Sequence, residues 1–495
     1  MATCFTCGLK GRNLVFTALF CISAFGLTTY LGFNGQFQHR RMHFIFREHK
    51  PMHHQFGLEN PGGNGQKLTL NLEKPPSDLE TYRFPAGLSE GMKKSIEKSV
   101  RWMTGLKEPP KFLPEYKNPC WYEDFDPLIG KGKIYRDNWY GRFHPYAKKN
   151  SNAFKSWEFN LYSWWSQNKK RLRCIPYFYL AGIAKCGTTD LFQRILSHPD
   201  VADGLLKMSQ WWGRLAYNTA AGNGSGVPFI DFVDLFDYPA RVIEKYTCTT
   251  CPKLHHQIVG DYSTNTLFDN DYWIRLLGNN PQLHEPNITT AHYIRYFQPG
   301  AKILAIFREP TERLYSDYLF FYKGVKSPER FHSLAKQAVE LFDNCTKTFS
   351  VRSCAYNRTL HSQEALRIVR LRVGLYHVYV NDYLRVFPRD QLLFLRLEDY
   401  HNNMNESLNR VYNFLGLRDL NAREEYKVLR KGAVNSRSKN NTKIGDALER
   451  TKILLRNFYA KHNDLLAEAL GDDGFKWHAN EIKQPADNGP EKIAS

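Results

Sequence analysis

Acidic residues are scarce relative to basic ones: 49 Asp and Glu face 68 Lys and Arg, a formal charge of +19 over 495 residues. Such a field favours polyanionic partners, namely nucleic acid, acidic glycans, anionic lipid or phosphorylated small molecules, and does not choose among them. No internal repeat runs along the chain, which leaves a repeat array without support. Cys248 and Cys251 form a Cys-x-x-Cys pair, but no second ligand pair stands at a spacing that would complete a zinc site, and no metal is expected. A local disulfide or two plain thiols fit that pair better. The Gly-Lys-Ser/Thr order of nucleotide triphosphatase loops is missing too, as are carboxylates placed to hold magnesium, which weighs against a kinase.

What is present reads as a folded protein. Hydrophobic residues make up 42% and charged residues 24%, and 28 Tyr with 33 Phe argue against disorder over most of the length. Leu14–Phe33 is a run of 20 residues without a charge, preceded by Lys10 and Arg12. It has the length of a membrane-spanning helix, longer than the apolar part of a signal peptide, and no small-residue cleavage site follows. The expectation is an uncleaved signal-anchor, with residues 1–13 as a cytoplasmic tail. Arg40, Arg41, Arg47 and Lys50 follow the span, so basic flanks do not orient it.

Two other features place the bulk of the chain in a lumen. Six Asn-x-Ser/Thr sequons stand at Asn223, Asn287, Asn344, Asn357, Asn405 and Asn440. Seven cysteines lie beyond the span; Cys120 with Cys174, and Cys345 with Cys354, are disulfide candidates in an oxidising compartment. A nucleic-acid-binding protein would account for the charge but not for the span or the sequons, so no nucleic acid partner is expected.

Residues 34–110 are punctuated by Pro-Gly-Gly-Asn-Gly at 61–65 and Pro-Pro at 75–76 and lack sustained apolar periodicity, which predicts a stem. Residues 111–480 form the main domain and 481–495 a loose tail. Within the domain, short apolar runs at Ile175–Ala181, Ile258–Tyr262, Lys302–Phe307 and Leu392–Leu397 predict buried strands. They alternate with helical patterns at Thr188–Leu196, Thr311–Tyr322, Ser362–Val386 and Ile453–Leu470. That alternation predicts an α/β fold around a central, mostly parallel sheet flanked by helices.

Two strand-to-helix junctions carry candidate chemistry. In the first, Tyr177-Phe-Tyr-Leu-Ala-Gly-Ile-Ala-Lys185-Cys186-Gly187-Thr188-Thr189, an apolar strand runs through a Gly-containing turn into a helix opened by threonines. Such a turn aims backbone N–H groups and the positive helix end at an anion, usually phosphate. Lys185 adds a mobile charge, and Thr188 and Thr189 add hydroxyl donors. The alternative is a plain turn, with Thr as cap and Gly for room. In the second junction, Lys302-Ile-Leu-Ala-Ile-Phe-Arg308-Glu-Pro-Thr-Glu-Arg-Leu-Tyr-Ser316, Arg308 sits at a strand's carboxyl end and Ser316 about two turns into the helix. Both are candidates for one terminal phosphate, Arg308 by a bidentate pair. The alternative has Arg308 paired with Glu312.

Together the two junctions resemble the donor-binding signatures of the carbohydrate sulfotransferases, which use 3′-phosphoadenosine 5′-phosphosulfate. The likeness spans roughly Cys120 to Trp477 and includes Cys120-Trp-Tyr-Glu, Arg171-Leu-Arg-Cys174, Trp211-Trp212, Leu371-Arg-Val-Gly-Leu-Tyr376, Leu395-Arg-Leu-Glu-Asp399 and Asn457-Phe-Tyr459. It is strongest to the branch that sulfates N-acetylgalactosamine 4-sulfate at its 6-O position in chondroitin or dermatan sulfate. The resemblance implies a P-loop-type sulfotransferase core, a single-pass type II Golgi membrane protein and a sulfated glycosaminoglycan acceptor; it leaves a homodimer open. It implies that Lys185, Cys186, Gly187, Thr188 and Thr189 grip the 5′-phosphosulfate and that Arg308 and Ser316 grip the 3′-phosphate. Arg437, in a basic stretch from Arg430 to Lys439, would cover the donor adenosine. An ordinary solvated charge run is the alternative there.

Catalysis in such a family is an in-line displacement that needs positive groups around the transferring oxygens and a base for the sugar hydroxyl. Lys185 and Lys207 are the expected cations. Relatives carry Lys-Glu-Pro-His-Trp-Trp where this chain reads Lys207-Met208-Ser209-Gln210-Trp211-Trp212, so the usual candidate base is replaced by Met208, which accepts no proton. Asp261, in Gly260-Asp261-Tyr262-Ser263, is the expected substitute. A different acceptor, or a protein that binds donor and glycan without turnover, are the other readings. Trp211, Trp212 and Arg214 are candidates for a glycan cleft, with core packing the rival for the tryptophans.

Overall fold

A computed structural model of the chain describes residues 83–144, 151–204, 208–217, 226–247, 254–432, 434 and 439–477. The tail at 1–13, the span at 14–33, the stem up to residue 82, the Asn223 sequon, Lys207, Cys248, Cys251, Arg437 and the tail at 481–495 lie outside the described residues. Among the described residues no helix is long and apolar enough to cross a membrane.

The centre is a five-stranded parallel sheet in the order β4-β5-β3-β6-β7. Its strands are β3 (Phe178–Gly182), β4 (Val201–Ala202), β5 (Ile258–Tyr262), β6 (Lys302–Phe307) and β7 (Leu392–Arg396). Every residue of β3 and β5 is buried, as expected of parallel strands covered on both faces. β3 comes first in the chain yet lies in the middle, with β5 on one side and β6 on the other. The chain therefore reverses its direction of sheet growth beside β3, and the carboxyl ends flanking such a reversal are where open α/β sheets hold ligands. Two strands preceding the sheet, β1 (Cys120–Asp124) and β2 (Lys170–Cys174), pair antiparallel with Cys120 opposite Cys174, and those two residues form a disulfide. The second expected disulfide, Cys345–Cys354, is also present.

The helices include α1 (Glu90–Thr104), α2 (Thr188–Ile195), α3 (Thr290–Phe297), α4 (Pro310–Phe321), α5 (Pro328–Thr346), α6 (Tyr376–Leu384) and α7 (Glu449–Leu470), with further helices between them, among them Ser151–Asn168 and Met404–Phe414. α1 corrects the interval 34–110 read as stem: the compact unit begins at Glu80. Ser89 caps this helix, and Ile96, Val100 and Met103, at spacings of four and three, are buried against the domain. Its polar remainder resembled a linker because only one narrow stripe is apolar.

The continuous helical pattern expected over Ser362–Val386 is also corrected. That segment holds a short helix at Glu364–Ile368, a tight turn at Leu371–Gly374 and then α6. The backbone oxygen of Arg370 accepts from the guanidinium of Arg313 at 3.2 Å, and the Arg370 side chain is drawn to Asp317 at 2.9 Å. A Cβ on Gly374 would stand 2.8 Å from the Tyr459 ring of α7. Buried partners on other elements thus interrupt the helix. α5 escaped the sequence reading altogether, although Ser327 caps it, Pro328 opens it and Phe331, Leu334, Ala335, Ala338 and Phe342 form a buried stripe.

Candidate functional site

Both junctions expected to bind an anion lie at the carboxyl ends of adjacent strands, β3 and β6. The loop after β3 is pinned from below, where Ile183 N–H donates to the Ile306 oxygen at 3.1 Å. Lys185 and Gly187 both take left-handed φ, 73° and 74°. For Gly187 the requirement is double, since a Cβ there would also meet the Leu397 side chain at 2.5 Å. Gly187 caps α2 without a side-chain acceptor, so the first N–H groups of the helix keep their positive end toward the loop.

The Lys185 ammonium lies 4.0 Å above the Phe320 ring of α4, a cation–π contact. Burial lowers its pKa to about 8; nearby Asp317 opposes that shift and Arg308 adds to it. The group is still charged at neutral pH and poorly hydrated, so an incoming anion meets little competition from water. The unpaired Cys186 thiol is fully buried and pushed by that burial up to about 12, so it packs the loop and is inert as a nucleophile.

Thr188 and Thr189 open α2, and both hydroxyls meet the Tyr262 hydroxyl, at 3.0 and 2.7 Å. Tyr262 ends β5, and its ring stacks on Phe192 of α2 at 4.9 Å. Sequence reasoning singled out its neighbour, Asp261, and passed over Tyr262. The strand's alternation was the available signal, because it sends the two side chains to opposite faces.

Arg308 follows β6 directly, half-buried, with Glu312 as its partner at 3.3 Å. Glu309 caps α4 by accepting from the N–H groups of Thr311 and Glu312 at 3.0 and 2.7 Å. Behind this helix, Asp317 is clasped by Arg313 at 2.7 Å and by Arg370. Burial works against the Asp317 charge, but the two guanidiniums overrule it and hold its pKa below the usual carboxylate value. Ser316 lies on the same helix, half-buried. The expected Arg308–Glu312 pair and the expected donor role are compatible, since a 3.3 Å, partly exposed pair yields readily to a phosphate.

The residues singled out for the acceptor are enclosed. Asp261, expected as the substitute base, is 4% exposed, and its carboxylate accepts from the Ser209 hydroxyl at 2.6 Å. Burial raises it to about 6, with the Ser209 and Ser263 hydroxyls opposing. It faces away from the Tyr262 side that carries the threonines, so the structure does not bring it to Lys185–Thr189. Met208 adopts φ 70°, with its N–H on the Tyr262 oxygen at 2.7 Å and its own oxygen 3.1 Å from His144 Nε2. Trp211 and Trp212 are 0% and 3% exposed. Trp211 stacks on Phe232 at 5.3 Å and donates to the Val227 oxygen at 3.0 Å, so these rings pack the core and do not line a cleft. Arg214 is held by the buried Asp269.

The family model for the sulfotransferase domain matches residues 176–454, more than half of the chain, from the start of β3 through both junctions. The chain belongs to the sulfotransferase family. Among curated proteins, this sulfotransferase is 36% identical over 385 residues to carbohydrate sulfotransferase 15 of Rattus norvegicus, covering 74% of this chain and 66% of the relative. To the Homo sapiens protein of that name it is 36% identical over 378 residues, with the same shares. It thus spans just under two thirds of the length of these relatives. A shorter Nototodarus sloanii protein of the same name is 34% identical over 142 residues, 29% of this chain and 87% of the relative. Among solved structures, a sulfotransferase from Alicyclobacillus acidocaldarius aligns over 61% of this chain and 97% of its own, at 20% identity and a TM-score of 0.37. A mouse sulfotransferase, SULT7A1 complexed with PAP, aligns over 61% and 87% at 14% identity and a TM-score of 0.28.

Proposed function

We propose that this sulfotransferase moves a sulfuryl group from 3′-phosphoadenosine 5′-phosphosulfate to a hydroxyl of a sulfated glycosaminoglycan, the 6-O position of N-acetylgalactosamine 4-sulfate in chondroitin or dermatan sulfate. One observation carries the reading: a poorly hydrated lysine at left-handed φ, two threonine hydroxyls and a helix N-terminus converge at one strand end, with Arg308 on the next strand. The residues fit the donor, since the glycine turn lets backbone N–H groups approach an anion and Lys185 lies among them. The names of the relatives, carbohydrate sulfotransferase, support a sugar acceptor.

The donor supplies an activated sulfuryl group on a phosphate leaving group. Lys185 neutralises negative charge where it accumulates between sulfur and phosphate, the α2 N-terminus and a threonine hydroxyl orient the phosphate, and Arg308 with Ser316 hold the distant 3′-phosphate. Lys207 and Arg437 complete this reading as a second cation and a cover for the adenosine. We extend it to a type II Golgi membrane protein, supported by the apolar run at Leu14–Phe33, the sequons and two disulfides that suit an oxidising lumen.

Transfer of labelled sulfate from the donor to chondroitin sulfate A, lost in Lys185→Ala, is the expected result. A second reading, a donor- and glycan-binding protein without turnover, is favoured by Met208 alone. Donor binding with no transfer to a panel of glycosaminoglycans would replace the first reading with the second.

A further inference from the structure

Helix α4 presents two rows of side chains to the cations around it. Residues four apart share a helix face, so Glu312, Ser316 and Phe320 form one row and Arg313, Asp317 and Phe321 the next. The first row meets Arg308 at Glu312 and Lys185 at Phe320. The second meets Arg370, which immediately precedes the turn Leu371–Gly374. The Arg370 guanidinium lies 4.1 Å above the Phe321 ring, and its Nε and Nη2 donate to the two Asp317 oxygens at 2.9 and 2.5 Å. The Phe320 and Phe321 rings meet edge to face at 4.8 Å. Lys185 and Arg370 thus stand on neighbouring rings at one end of α4. The Lys185 pKa, lowered chiefly by burial, is lowered further by Arg308 and Arg370, so both guanidiniums act on it.

Arg370 is held in place with part of its fork to spare. Asp317 is buried and shared with Arg313 at 2.7 Å, whereas the Arg370 side chain keeps 16% of its surface exposed. A guanidinium offers five N–H donors in a rigid plane. Two of them serve Asp317, and among the described residues Nη1 has no hydrogen-bond partner. Ring and carboxylate have already ordered the side chain, so the remaining edge is preorganised for an anion.

The anions of the proposed reaction decide which one. The 5′-phosphate has the α2 N-terminus and a threonine hydroxyl, the sulfuryl group has Lys185, and the 3′-phosphate has Arg308 and Ser316. The acceptor's own sulfate is left, and Arg214 is already bound to the buried Asp269. In N-acetylgalactosamine 4-sulfate, O4 and the reacting O6 are joined through only three carbons. A sugar that presents O6 to the sulfuryl group at Lys185 therefore carries its sulfate to a neighbouring position.

We infer that Arg370 is a specificity-determining residue that binds the sulfate ester of the acceptor sugar beside the sulfuryl group at Lys185. The inference rests on the proposed donor and acceptor readings. The spare guanidinium edge donates to the sulfate oxygens, and a sugar without that sulfate leaves it unpaired. The acceptor is then read from the α4 side of the loop, away from the enclosed Asp261 and the two tryptophans.

Calorimetric titration of the purified full chain, with adenosine 3′,5′-bisphosphate present, against tetrasaccharides of chondroitin 4-sulfate and of unsulfated chondroitin tests this. Arg370→Lys keeps a charge for Asp317 and removes the fork. It is expected to weaken binding of the sulfated sugar about ten-fold, the loss of one hydrogen bond to a charged group. The unsulfated sugar and the bisphosphate are expected to change less than two-fold. A purely structural role would lower the melting temperature and weaken both sugars equally, which would overturn the inference, as would undiminished binding of the sulfated sugar. A loss confined to the bisphosphate would assign Arg370 to the donor and overturn it too. Should Arg370→Lys fail to fold, Phe321→Leu decides: it keeps the Asp317 pair, loosens the guanidinium, and must cost the sulfated sugar about three-fold, the scale of one cation–π contact, and the unsulfated sugar nothing. If the unaltered chain binds no bisphosphate the donor reading fails, and if it binds both sugars alike the acceptor reading fails; each takes the inference with it and is visible before any variant is made.

Discussion

The proposed donor and acceptor sides of this site are built from neighbouring strands yet follow different rules. On the donor side, β3 and β6 end in residues that stay partly exposed and cationic, Lys185 and Arg308, over a buried frame formed by Asp317, Arg313 and Arg370. On the acceptor side, β5 and the stretch 208–214 send their most suggestive residues inward: Asp261 beneath Ser209, and both tryptophans into the core. The cations proposed to hold the donor are left accessible, while Asp261 and the two tryptophans, the residues singled out for the acceptor, are enclosed.

The sharpest way to break this comparison is to remove the donor-side charge. Lys185→Ala retains a non-glycine residue at the same φ, and is expected to lower transfer by about 100-fold or more, the scale of losing one group that stabilises developing charge. A loss below ten-fold in initial-rate assays would shift the weight of catalysis to the acceptor side. Next comes Gly187→Ala. The Leu397 side chain can move away from a new Cβ, but φ 74° remains, and left-handed backbone costs an L-residue ~1–2 kcal/mol. Equilibrium denaturation is expected to show that loss, with donor affinity reduced about ten-fold through the displaced loop.

Asp261→Asn sharpens the other half. Its Oδ1 still accepts from Ser209, so transfer is expected to fall by less than ten-fold; a drop beyond 100-fold would restore Asp261 as the base. Its pH behaviour is a second readout. The folded carboxyl titrates near about 6 and an unfolded one near about 4. Between those values the folded state keeps a proton that the unfolded state has lost. Stability therefore falls as pH rises from about 4 to about 6, by ~3 kcal/mol at most, and is flat above. The Asn variant is expected to lack this slope in denaturant midpoints measured across that range. The smallest effect belongs to Glu312→Ala, which releases Arg308 from its 3.3 Å partner. Adenosine 3′,5′-bisphosphate is expected to bind about two-fold tighter, the scale of a partly exposed helix pair.

Much of the donor side was legible because its signals are local. β6 starts and ends where its apolar run does. The α2 and α4 junctions follow from a glycine turn and from a Glu309-Pro310 cap, each contained within a few residues. The two disulfides were readable for a similar reason, since each pair of cysteines flanks one segment. The acceptor side was less legible because its outcome depends on distant partners. Trp211 and Trp212 look the same in a string whether they line a cleft or pack on Phe232 and Phe297. Asp261 gains its enclosure from Ser209, which arrives from 52 residues away. The break in Ser362–Val386 likewise depends on Arg313 and Asp317, on another helix.

The sequence by itself determined the α/β alternation, the disulfide partners and the position of a glycine turn between a strand and a helix, because periodicity and turn chemistry act over a few neighbouring residues. Only the tertiary structure decided which side chains face that turn. Strand alternation set Tyr262 toward the threonines and Asp261 away from them, and burial then made one a hydroxyl partner of the donor loop and the other an enclosed acid.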